Sequence, residues 1–112
     1  MKIIKLLDYT KKPGGRDTKG GVNSGELFYS EMLRPEFLAA IERREKLLVD
    51  LDNVEGYSTS FLNGSFGKLI QDFSRQLIDE FLVLKSDRDK YVLTQIERQF
   101  NNYRPQSNVA VA

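Results

Sequence analysis

Residues 47–73 read LLVDLDNVEGYSTSFLNGSFGKLIQDF, and the expected fold follows from how this stretch divides. It opens on an apolar run, Leu47, Leu48, Val49 and Leu51, with acids at Asp50 and Asp52. Such a run predicts a short strand buried on both faces. A polar turn follows over residues 53–60, holding Gly56 and three consecutive hydroxyls, Ser58, Thr59 and Ser60. Leu62, Phe66, Leu69, Ile70 and Phe73 then recur at steps of 4, 3, 1 and 3, which is one apolar stripe at helical period. A hydroxyl just before that stripe is a natural N-cap. The stretch is strand, loop, helix, with the hydroxyls where the strand's C-terminal end meets a helix N-terminus.

The same alternation extends outward in both directions. Residues 2–7 (KIIKLL) predict a strand ended by Asp8. Residues 9–22 are broken by Pro13, Gly14, Gly15, Gly20 and Gly21. They read either as a solvated connection or as an anion-contacting loop using Gly14, Gly15 and Arg16. No phosphate-loop or dinucleotide glycine pattern occurs there. Asn23 or Ser24 can cap a helix over residues 25–33, and Pro35 predicts a break or a kink before a second piece over residues 35–44. Residues 74–80 predict a short helical turn, residues 81–84 (FLVL) a third strand, and Asp87 or Ser86 the cap of a last helix that runs to about Tyr103, with Val92, Leu93, Ile96, Phe100 and Tyr103 inward. The order predicts an α/β fold, a small mostly parallel or mixed sheet flanked by helices. The expectation is one domain over residues 1–103 and a flexible tail over residues 104–112.

Composition narrows the function classes. The chain has 112 residues, 40% hydrophobic and 29% charged, ordinary for one globular domain. Its 17 basic and 16 acidic residues leave a net charge of +1, which gives no reason to expect nucleic acid or an anionic membrane as partner. There is no cysteine and no histidine, so thiol chemistry, thiolate metal sites and the commonest general base are absent. The expectation is a protein that is not an enzyme and uses no cofactor or metal. The first apolar run is too short for a secretory signal and no stretch is long enough to span a membrane, so the expected location is cytoplasmic.

Several motifs resemble the STAS-like family DUF4325. They are PGGR at residues 13–16, then Ser24, Gly25, Glu26 and Phe28, and above all VDLDNVEGYSTSFLNGSFGKL at residues 49–69. The wider STAS group includes bacterial anti-sigma-factor antagonists, in which a serine at an Asp-Ser-Ser-Gly turn is phosphorylated by a histidine-kinase-like ATPase, which breaks their complex. Aligned from the strand, Ser58 stands for the Asp, Thr59 for the phosphorylated serine, Ser60 for the second serine and Phe61 for the glycine. The resemblance implies a STAS-like fold, a protein partner of the ATPase class, and Thr59, Ser60 and Ser58 as candidate phospho-acceptors. A homodimer is compatible with it.

Three functions follow as expectations. The first is a regulatory interaction module that binds its partner through Gly56, Tyr57, Phe61 and Leu62 and is switched by phosphorylation at the strand–helix turn. The hydroxyls can equally serve only as a helix cap. The second is small-ligand or nucleotide binding by the glycine-rich loop. The third is Mg²⁺-dependent phosphoryl chemistry at strand-end carboxylates, Asp8, Asp50 and Asp52, with Lys85 near.

Overall fold

A computed structural model of the chain describes residues 1–9, 24–54 and 58–103. The glycine-loop candidates Gly14, Gly15 and Arg16, the turn residues Gly56 and Tyr57, and the tail lie outside the described residues.

Three parallel strands, β1 (Lys2–Lys5), β2 (Leu47–Asp50) and β3 (Leu82–Lys85), form a sheet in the order β1-β2-β3. The register pairs Ile4 with Val49 and Val49 with Leu84, and one step on it pairs Lys5 with Asp50 and Asp50 with Lys85. Successive residues face opposite sides of a sheet. Leu47 and Val49 are wholly buried, whereas Leu48 and Asp50 are half-buried and Ile3, in register with Leu48, is 56% exposed. The apolar run is therefore buried on one face rather than both. A sheet that grows in one direction through right-handed crossovers carries its connecting helices on one side.

The first strand is shorter than the sequence suggests. After Lys5 the chain turns into α1 (Leu6–Tyr9), which drops Leu6 into the core. The third strand is shifted by one residue, because Phe81 ends the preceding helix and Lys85 joins the strand.

Of the break or kink expected at Pro35, the break does not occur. From α2 (Gly25–Phe28) the chain passes through one π turn (Tyr29–Leu33) into α3 (Arg34–Arg43) with Arg34 in right-handed helical conformation. Proline lacks the N–H of a normal turn and its ring crowds the carbonyl four residues back. The widened turn relieves both: the Arg34 N–H reaches the Tyr29 carbonyl, five residues back. Ser24 caps this run, its Oγ accepting from the Leu27 N–H at 3.2 Å. The helix closes on Arg44 in the left-handed region at φ 57°.

Next come α4 (Thr59–Asp72), α5 (Arg75–Phe81), capped by Ser74, and α6 (Lys90–Asn102). The cap of α6 is Asp89, not Ser86 or Asp87. Those two are engaged elsewhere: the Ser86 hydroxyl donates to the Asp89 carbonyl at 2.5 Å and the Asp87 N–H donates to Asp52.

The core centres on α4, which packs against α2 on one side and α6 on the other. Phe28 lies 5.9 Å from Phe61 and 6.4 Å from Phe66 between ring centroids, and Tyr9 lies 5.5 Å from Phe28. The α2–α4 crossing is so close that a Cβ at Gly25 would sit 2.2 Å from the Phe61 carbonyl oxygen. Neither backbone can move without the other, so Gly25→Ala is expected to cost about 2 kcal/mol or more in urea unfolding. An unchanged midpoint would show that this crossing is looser than described.

Candidate functional site

The hydroxyl run forms the first turn of α4. Ser58 is the N-cap, with extended backbone, and its Oγ accepts from the Phe61 N–H at 2.9 Å. Thr59 and Ser60 are the first two helical residues. All three are exposed. Ser58 is thus the hydroxyl that caps the helix, while the Thr59 and Ser60 side chains have no hydrogen-bond partner among the described residues. The helix N-terminus supplies free N–H groups and a positive dipole end beside them.

Phe61 and Leu62, expected on the partner-binding surface, are both wholly buried and belong to the core. The cause is α2, which lies across the start of α4 and stacks Phe28 on Phe61 at an interplanar angle of 25°.

Thr59 also lines a groove of about 760 Å³ between α4 and α6. Tyr91, in the first turn of α6, lines the same cleft and is 59% exposed. Thr59 and this exposed aromatic ring, each in the first turn of its helix, therefore line one groove. The cleft was not apparent from the sequence. Its visible trace is that Asn63, Gly67 and Gln71 on one helix, and Tyr91, Gln95 and Gln99 on the other, recur every four residues.

A second cluster gathers at the C-terminal ends of β2 and β3. Lys85 Nζ donates to Asp52 Oδ2 at 2.7 Å and lies 3.0 Å from Asp87 Oδ2 and 3.9 Å from Asp50 Oδ1. Asp52 accepts three further contacts, from the Asp87 N–H at 2.8 and 3.1 Å and from the Arg88 N–H at 3.0 Å. Its side chain is only 6% exposed. The bond from Lys85, then the N–H groups of Arg88 and Asp87, holds the Asp52 carboxyl down at about 2, against an ordinary 3.8. In return Asp52, then Asp87, raises the Lys85 ammonium above its usual range. Asp50 Oδ1 accepts the Asp52 N–H at 2.9 Å, fixing the turn in which Asn53 adopts φ 68°.

The sequence placed Asp50, Asp52 and Lys85 together correctly. Asp8 does not join them: it is exposed on α1 and makes no contact with the cluster. The carboxylates surround the Lys85 ammonium, and no group of three acidic side chains among the described residues is placed to hold a metal ion. The arrangement ties the turn before α6 to the end of β2. No helix among the described residues is long and apolar enough to cross a membrane.

The chain matches the STAS-like domain of unknown function (DUF4325) over residues 24–91, more than half its length. It belongs to that family. The matched span runs from the Ser24 cap to the first turn of α6, so it contains β2, the hydroxyl turn, all of α4 and the Asp52–Lys85 cluster. The small parallel sheet with its flanking helices is a STAS-like α/β fold. No curated protein and no solved structure matched the chain.

Proposed function

We propose that this STAS-like domain is a regulatory protein-binding module whose contact surface lies at the N-terminal ends of α4 and α6, and that phosphorylation of Thr59 or Ser60 switches it. The observation that carries this reading is the accessibility of those two hydroxyls, Thr59 on the groove that the exposed Tyr91 also lines, with Ser58 alone committed to capping the helix. A kinase can reach a side chain that the fold does not use. A phosphate there adds close to two negative charges, tolerated by the helix N-terminus but repelled by an acidic partner surface. The partner class suggested by the family resemblance is a histidine-kinase-like ATPase.

The reading differs from a pure capping role in a measurable way. The tagged chain is purified from its native cell, and partners and bait modifications are identified by mass spectrometry. The Thr59→Glu, Ser60→Glu double variant is expected to bind the recovered partner at least about tenfold more weakly than the corresponding alanine pair, with both variants folded. Equal binding by the acidic and alanine pairs would overturn the switch. Recovery of no specific partner would overturn the module.

A further inference from the structure

We infer that the groove between α4 and α6 seats an extended, acidic segment of the partner protein; this rests on the protein-binding reading above and names the chemistry that the partner brings. The groove is built for backbone recognition. Asn63 and Gln71 line it from α4, and Gln95 and Gln99 from α6. A carboxamide offers one acceptor and two donors, matching the N–H and C=O of a peptide group without reading its side chain. None of these four has a hydrogen-bond partner among the described residues, so their carboxamides are available to a peptide backbone.

Gly67 shapes the floor. A Cβ there would sit 2.8 Å from Gln99 Oε1, so glycine is what lets the Gln99 carboxamide lie against the α4 backbone. Gly67 is an interior helical glycine, a choice that costs about 1 kcal/mol relative to alanine. The groove runs beside α4 from Thr59 to Gln71, about 18 Å, which fits five or six extended residues.

Charge supplies the preference. Lys68 and Arg98 line the groove and neither is ion-paired among the described residues, where Glu26 is the single lining acid. Two unpaired cations against one acid favour a segment carrying Asp or Glu, and such exposed pairs weaken as salt rises. Because Thr59 lines the same groove, its phosphate would stand at the mouth and oppose an acidic segment.

The test uses phage-displayed random heptapeptides selected on the immobilised full chain. The selected sequences are then titrated against the ¹⁵N-labelled protein while backbone and side-chain carboxamide signals are followed. The expected result is enrichment of Asp and Glu, shifts at the Gln95 and Gln99 carboxamides, and at least about tenfold weaker binding by Arg98→Glu with unchanged Tm. Lys68→Glu provides a second charge reversal should the first disturb the helix. Peptides that shift only residues 58–60 and ignore Arg98→Glu would overturn the groove while leaving the protein-binding reading intact. Failure to select any peptide would overturn it, as would ATP producing the carboxamide shifts that peptides do not. Failure of the parent reading is seen separately, as the absence of any partner in the native purification.

Discussion

Phe61→Ala is expected to lower the unfolding free energy by about 3–5 kcal/mol, with little need of any binding partner to reveal the effect. The ring is wholly buried, stacks on Phe28, and leads the first full turn of α4. Truncation removes a large apolar area and opens a cavity between two helices whose backbones cannot close over it, since Gly25 already touches the Phe61 carbonyl. Against a total stability of about 5–15 kcal/mol for a domain of this kind, such a loss is severe. Urea denaturation measures it directly. Phe61→Leu, which keeps most of the apolar volume, should cost less. The contrast with a surface anchor is sharp: an exposed Phe61 would give an alanine variant with unchanged stability and weakened partner binding. That outcome would return Phe61 to the interface.

Phe61 lies one residue off the apolar stripe of α4, which by periodicity alone leaves it open between the core and a partner surface; the structure puts it in the core. The stripe of Leu62, Phe66, Leu69 and Ile70 is buried as expected, and Phe73 packs edge-on to Phe37 at 5.0 Å. Periodicity tells which residues share a helix face. It does not tell how many neighbours the helix has. With α2 on one flank and α6 on the other, α4 buries Phe61 and Ser65 besides the stripe, and the Ser65 hydroxyl is satisfied by the Phe61 carbonyl at 2.8 Å. A break at Pro35 was a local expectation as well, and one π turn was enough to override it.

The strand-end cluster divides in the same manner. The sequence spacing sets Asp50 and Asp52 on one side of one strand; β2 in fact ends at Asp50 and Asp52 lies in the turn beyond, but with Lys85 ending the neighbouring parallel strand their meeting was legible. The backbone donors of Asp87 and Arg88 were not, because a main-chain N–H in a distant turn carries no mark in the sequence. The groove was invisible for a related reason: it exists only once sheet order has set α4 beside α6. The capping hydroxyl, being a local matter, was within reach of the sequence as one of three candidates, and geometry assigned it to Ser58.

Asp52→Asn is the second large effect expected, and its signature lies in pH. The variant keeps the shape of the side chain but loses the charge that gathers Lys85 Nζ and the Asp87 and Arg88 N–H groups. At neutral pH its Tm should fall by about 5–10 °C, because the turn leading into α6 loses its tie to β2. The folded carboxyl titrates at about 2, below its ordinary 3.8. A group with a depressed folded pKa stabilises the fold fully above its unfolded pKa, and the contribution disappears as pH falls through the folded value. The wild-type protein should therefore lose stability between about pH 4 and pH 2 from this group, while Asp52→Asn loses none of that increment, and the two should converge near pH 2. Lys85→Met offers a check on the cause, since removing the first of the donors should move the Asp52 transition upward. Thermal denaturation at half-unit pH steps reads all three proteins. Parallel wild-type and Asp52→Asn curves from pH 7 to pH 2 would mean that the carboxylate does not fasten the two strand ends, and that the cluster's charges are free for chemistry instead.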